Sequence, residues 1–366
     1  MEISIIGLPK SGKTTIFNAL TRGKAETTVY APAALAPNVG VSKVPEPRLQ
    51  ILDKIFQPKK ITPTEVKYVD IAGAGKGFGK DEGISGQFLN YLSNADALLQ
   101  VVRVFEDKKV PHVEGSIDSK RDMATMDLEL IFSDLAIIER RIQRLEVSLK
   151  GAKSSERDLL LKEQTLLQKI KSGLEKDMPI WQQGLTTEEI RGLANYQFLT
   201  AKPMLVIANI GERQLAQAFS IEAELRMAYS YPQFEVAALC GKLEMELAQL
   251  SDAEAEEFRG AMGLTEPALG RIIRLSYQLL GLISFFTTVS AELKVWTIPE
   301  GTTALKAAGK IHSDIEKGFI RAEVISYHDL DRCGSLAEAR KQGLLRLEGK
   351  KYIVQDGDII TFLFNI

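Results

Sequence analysis

Apolar residues enter this chain in short β-branched runs, each followed by a helical stretch. Ile3 to Ile6 is long enough for one buried strand, and Ile16, Phe17, Ala19 and Leu20 then recur at helical spacing. Glu65–Val69, Ala97–Val102, Pro203–Ala208 and Phe234–Leu239 read as further strands, which predicts an α/β fold with a mostly parallel sheet. Between the third and fourth of these strands the period changes. Leu128, Ile131, Leu135, Ile138, Ile142, Leu145 and Leu149 alternate spacings of three and four, a heptad seam. Gly151 to Ser155 breaks it, and Leu160, Leu167, Ile170 and Leu174 continue on a second helix, so an antiparallel coiled-coil arm is predicted. Thr265 to Leu280 reads as a helix capped by Thr265. Beyond Ser284 strands dominate: 293–298, 319–326, 345–347, 351–354 and 359–364, with a short helix over 302–311. A small sheet wrapped on one helix is a β-grasp pattern.

The first strand and helix enclose Gly7-Leu-Pro-Lys-Ser-Gly12-Lys13-Thr14, which fits GxxxxGK[ST] in the strand–loop–helix setting that this motif needs. Gly7 and Gly12 let the backbone curl so that successive N–H groups face phosphate oxygens, and the following helix adds the positive end of its dipole. Lys10, Ser11, Gly12, Lys13, Thr14 and Thr15 are the candidate phosphate contacts, with Lys13 as the point charge and the Thr14 hydroxyl as a Mg²⁺ ligand. The fold expected is therefore a P-loop nucleotidase domain with a helical coiled-coil insertion and a C-terminal β-grasp domain. The boundaries expected are 1–122 and 197–282 for the nucleotide-binding domain, 123–196 for the insertion and 283–366 for the last domain.

Composition narrows the classes. The chain has 366 residues, 45% hydrophobic and 26% charged, with a net charge of −2, so bulk charge recruits neither nucleic acid nor membrane. Two cysteines, Cys240 and Cys333, exclude a disulfide framework and suit a reducing cytoplasm. No apolar run reaches membrane-spanning length, and a strand starting at residue 1 or 2 leaves no room for a signal peptide. A monomer is expected. The arm's tip half carries Arg140, Arg141, Arg144, Lys150, Lys153, Arg157 and Lys162 against three acids, which fits a solvated face or a phosphate-contacting tip equally.

Three further stretches complete the candidate site. Asp70-Ile-Ala-Gly73 ends an apolar strand, which places Asp70 to hold Mg²⁺ through water and the Gly73 N–H to face a γ-phosphate. Residues 25–44 and 73–86 are read as mobile switch segments, the first equally as a plain surface connection. Asn209-Ile-Gly-Glu212 follows a late strand, where a base reader belongs. Guanine-specific nucleotidases use NKxD there; Ile210 and Glu212 replace the Lys and Asp, which misplaces the carboxylate for guanine and tilts the reading to adenine or to relaxed selectivity. Cys240-Gly-Lys242 is expected to be a loop closing over the base. His112, in the connection after the third strand, is either structural or catalytic.

Over nearly its whole length the chain resembles the YchF family of Obg-like ATPases. The resemblance is carried by GLPKSGKTTIFNALT at 7–21, APNVGVSKVPEPRL at 36–49, VDIAGAGKG at 69–77, FEDKKVPHVEG at 105–115, ANIGE at 208–212, WTIPEGTTALKAAGKIHSDIEKGFIRAEVIS at 296–326 and RLEGKKYIVQDGDIITFLFN at 346–365. It implies a C-terminal TGS domain, slow ATP hydrolysis with ATP preferred over GTP, Mg²⁺, ribosome or ribosomal-RNA association, and a cytoplasmic role in translation or stress control. It makes Lys13, Gly73 and His112 the catalytic candidates, with Ala74 where Ras-like enzymes have a water-orienting Gln. Two positions depart from the family pattern: Lys10 stands where members carry Asn, and Ala34 where they carry a Mg²⁺-ligating Thr. A nucleotide-binding scaffold with decayed hydrolysis, and a GTP switch, stay open as other readings of the same residues.

Overall fold

The computed structural model describes residues 1–23, 37–71, 86–229, 233–262, 264, 267–289 and 291–365. Gly73, Ala74, Ala34, Thr265 and most of both switch segments lie outside them. Twelve strands are seen among the described residues: β1 Glu2–Ile6, β2 Asn38–Lys43, β3 Lys60–Thr62, β4 Glu65–Asp70, β5 Ala97–Arg103, β6 Met204–Asn209, β7 Phe234–Leu239, β8 Leu282–Val289, β9 Glu292–Pro299, β10 Phe319–Ser326, β11 Arg346–Glu348 and β12 Asp358–Phe364. The first five helices are α1 Lys13–Thr21, α2 Leu49–Phe56, α3 Gly86–Asn94, α4 Ser119–Gly151 and α5 Ser154–Leu174. The chain divides into two compact units, 1–42 with 67–269, and 43–66 with 270–366.

The first unit is built on a sheet of order β2-β4-β1-β5-β6-β7. The pairs β4–β1, β1–β5, β5–β6 and β6–β7 are parallel. All seven residues of β5 and all six of β6 are buried, as expected of strands covered on both faces. The chain leaves β1 to one side for β4 and to the other for β5, so β1 stands at the topological switch point, outside whose carboxyl edge ligands bind. Register aligns that edge: Ile5 pairs with Asp70, Arg103 with Asn209, and Asn209 with Leu239.

The arm is an α4–α5 hairpin. α4 has 33 residues, a rod roughly 50 Å long at the helical rise per residue. Ile131, Ile138, Leu145, Leu167, Ile170 and Leu174 from the seam are buried together with Ile180, Leu193 and Phe198. Asp134, fully buried on α4, accepts from the N–H groups of Leu199 and Thr200 (both 2.8 Å) and from the Thr200 hydroxyl (2.7 Å). One carboxylate thus pins the chain as it returns from the arm. Arg141 turns inward onto Glu163 (2.6 Å) and Tyr196, so it is spent on the hairpin, whereas Arg144 is exposed.

The second unit has a sheet of order β11-β10-β12-β8-β9-β3. One face packs Ala304, Ala307 and Ala308 of helix Ala304–Ile311 against Phe285, Ile298, Val324, Ile360 and Phe362. On another cluster, Leu52 of α2 is fully buried with Phe286, Leu293, Val295, Ile325 and Leu330. Residues 351–354 contribute only an isolated bridge at Ile353, not the strand expected. The sequence reading also passed over residues 43–66: β3 pairs in parallel with β9, Ile61 opposite Leu293. Arg48 fastens the same segment. It bonds Glu46 (2.6 Å) and Asp356 (2.8 Å), and its guanidinium lies 5.2 Å from the Phe286 ring centroid. Arg48→Ala should therefore destabilise this unit by about 1–3 kcal/mol. Hydrogen exchange in β9 and β12 is the readout; unchanged protection there would detach residues 43–66 from the unit's stability.

Candidate functional site

The phosphate loop is held by the geometry of its residues. Gly7 and Gly12 have φ of +143° and +95°, open to glycine but costly for other residues. A Cβ on Gly7 would lie 2.4 Å from the Val101 carbonyl oxygen, and one on Gly12 2.2 Å from Asn209 Nδ2. Lys10, at φ +63°, takes a left-handed conformation that Asn tolerates better than Lys does. The Lys13 ammonium donates to the carbonyls of Gly7 (2.9 Å) and Leu8 (3.1 Å), closing the loop on itself. Burial lowers the Lys13 pKa to about 8, with Asp70 acting in the opposite sense.

Thr14 donates its hydroxyl proton to Asp70 Oδ2 (2.8 Å), which the Asn38 amide approaches at 3.4 Å. Asp70 is fully buried, and among the described residues its Oδ1 has no hydrogen-bond partner. A hydroxyl and a carboxylate side by side, with one buried oxygen unspent, fit a hard cation such as Mg²⁺. Ser11 is buried with its hydroxyl likewise unpartnered in the loop, and Thr15 is half-buried.

Asn209 ties two segments of backbone together. Its amide donates to the Ser11 carbonyl (2.9 Å) and its oxygen accepts from the Gly241 N–H (3.1 Å). Ile210 is 1% exposed, packed in the core with Cys240 and Leu243, and its N–H is bonded to Leu239. Glu212 is half exposed and paired with Lys242 at 3.3 Å. Cys240 is buried, its thiol pushed up in pKa by that burial, and it caps helix Gly241–Leu247. The expected loop 240–242 is thus the start of a helix.

His112 is not brought into hydrogen bonding with the phosphate loop. Its Nε2 lies 2.8 Å from Asp122 Oδ2, and its Nδ1 accepts from the Glu114 N–H at 3.1 Å. The loop carrying it is gathered by buried Arg103, which donates to the carbonyls of Phe105, Asp107 and Val110. Arg103, Asp122 and Asn38 contact the candidate site residues or their loop, and the sequence reading missed them. Only Asn38 had a signal, its place inside the APNVG stretch.

A glycine loop, a lysine, a Thr–Asp pair and an Asn tie at the carboxyl edge of a parallel sheet define a P-loop nucleotidase. Residues 2–135 match the MMR_HSR1 family, described as a 50S ribosome-binding GTPase, and residues 282–365 match YchF-GTPase_C, described as a protein of unknown function. The chain is 41% identical over 368 residues to the ribosome-binding ATPase YchF of Bacillus subtilis, covering 100% of both. Against the ribosome-binding ATPase YchF of Haemophilus influenzae it is 42% identical over 365 residues, covering 100% of this chain and 99% of that one. The solved YchF GTPase of Schizosaccharomyces pombe superposes with a TM-score of 0.85 at 30% identity, over 99% of this chain and 97% of that one. The chain belongs to the YchF family.

The Lys13 pKa of about 8 has a consequence for ligand binding. Below that value the ammonium is charged; above it the nucleotide-free protein loses the charge that phosphates need. ADP binding should then take up roughly half a proton at pH 8 and nearly a whole one at pH 9, where ADP is fully ionised. Calorimetry in buffers of different ionisation enthalpy measures this, and equal proton uptake at both pH values would refute it.

Proposed function

We propose that the chain binds ATP in preference to GTP, hydrolyses it slowly and associates with ribosomes in the cytoplasm in a nucleotide-dependent way. The observation that carries the catalytic part is the Thr14–Asp70 pair beside Lys13, with Asp70 Oδ1 buried and without a partner among the described residues. Relatives that carry the name ribosome-binding ATPase support the partner. On this reading Lys13 exchanges the Gly7 and Leu8 carbonyls for phosphate oxygens, and the loop N–H groups cradle the β-phosphate. Thr14 and Asp70 hold Mg²⁺, which when bound neutralises charge on the phosphates. Gly73 offers its N–H to the γ-phosphate, and His112 orients the attacking water in place of the missing Gln.

Base choice rests on Glu212. Its carboxylate is one methylene longer than the Asp that grips guanine, and Lys242 already holds it. The buried Ile210 supports the reading differently from what its place in the sequence suggests: it fixes the backbone of 209–211 rather than lying over a ring. Arg140, Arg144 and the lysines at the arm's tip are the candidate ribosomal phosphate contacts, with Arg141 withdrawn from that set.

Two measurements test the proposal. ATP should displace a fluorescent nucleotide at lower concentration than GTP does, and Glu212→Asp should recover little GTP affinity; tighter GTP binding by the native chain would reject the base assignment. Co-sedimentation with ribosomes should differ between the ATP-bound and ADP-bound protein, and equal pelleting in both states would reject a nucleotide-dependent partner.

A further inference from the structure

His112 has no nitrogen to offer. The Glu114 N–H can only donate, so the Nδ1 that receives it carries a lone pair, and the ring proton sits on Nε2. That Nε2–H is donated to Asp122 Oδ2 at 2.8 Å, and the side chains of both residues are 4% exposed. The acceptor is itself braced: Arg121 donates to Asp122 Oδ1 from Nε (3.1 Å) and from its terminal nitrogen (2.8 Å). A histidine that orients or deprotonates water needs one ring nitrogen facing that water. Here one faces the backbone of its own loop and the other faces α4.

Asp122 is also well placed to be moved. It lies in the first turn of α4, whose N-cap Asp118 accepts from the Arg121 N–H. The same helix continues without a break into the arm. A displacement of α4 would carry Asp122 with it.

We propose that Asp122 is a latch that keeps His112 out of the reaction, and that release of the Nε2–H···Oδ2 bond, driven through α4, is what admits the histidine to the attacking water. This rests on the reading that His112 orients that water. Asp122 is thereby a positioning residue acting through His112, and it restrains turnover instead of assisting it.

The test is a double-mutant cycle on the full chain. Asp122→Ala should raise steady-state ATP turnover roughly threefold or more and leave ADP affinity unchanged. Asp122→Asn, which keeps an acceptor of the same shape but loses the charge, should give a smaller rise. In the His112→Ala background neither change should have an effect. Long-range ¹H–¹⁵N spectra supply a readout that a purely structural role would not move. The native ring should show an Nε2–H protected from exchange with water, and Asp122→Ala should open that proton to exchange while Nδ1 keeps its bond from the Glu114 N–H. Turnover that falls or stays level in both Asp122 variants, or that rises equally without His112, overturns the latch. His112→Ala with native turnover overturns the water-orienting role itself, and the latch with it, whereas a tenfold loss there beside a level Asp122→Ala overturns the latch alone.

Discussion

The Asn209 amide is the tie on which the nucleotide edge of this protein depends. One side of it holds the phosphate loop through the Ser11 carbonyl, and the other holds the first N–H of helix Gly241–Leu247. Its main-chain carbonyl accepts from the N–H groups of Val104 and Phe105, where the His112 loop begins. Three loops from three strands thus converge on one buried residue at the end of β6. Close approach has a steric requirement, met by glycine on both sides. A Cβ on Gly12 would collide with the amide nitrogen, and one on Gly241 would come within 3.1 Å of its oxygen and 2.6 Å of Ile16. A buried amide whose two ends are both satisfied adds specificity without the desolvation cost that a charge would carry.

Around that tie, charge is placed sparingly. Asp70 is fully buried and Lys13 half-buried, and each leaves something unfinished: an oxygen with no partner among the described residues, and an ammonium whose pKa burial lowers. Groups left this way are stable only because the loop and the sheet register leave them no alternative geometry. The buried carboxylate at the arm's root solves the opposite problem. Asp134 receives three short hydrogen bonds and is finished, although burial still pushes its pKa up to about 6. One site is built to receive a ligand, the other to close a long insertion.

The elements with strong periodicity were legible in the sequence. β7 was expected at 234–239 and lies there, and the seam from Leu128 to Leu149 runs along α4 as a heptad must. The glycine loop was legible because its chemistry demands particular residues at fixed spacing. What escaped was non-local. Leu49, Leu52, Ile55 and Phe56 do recur at helical spacing, but Pro45, Pro47 and Pro58 mask so short a helix, and nothing in β3 announces a partner more than two hundred residues away. Asp122 and Arg103 meet their partners through side chains across a loop, which no periodicity records. Ile210 shows what a motif alone does not reveal: its side chain is packed into the core.

The discontinuity of the second unit changes what its sheet is. A domain joined by one linker can be clipped off, exchanged or lost without touching its neighbour. This one holds residues 43–66 within it, while β2 and β4 on either side of that stretch carry Asn38 and Asp70 to the candidate site of the other unit. The backbone therefore passes between the two units three times, and the second passage ends within a few residues of Asp70. Cutting the chain at 282 would yield neither half intact: one fragment would keep β3 and α2 with no sheet to join, and the other would lack an edge strand and the Leu52 that fills its core. The protein is better regarded as a single thread laced through two frames than as a nucleotidase with an appendage.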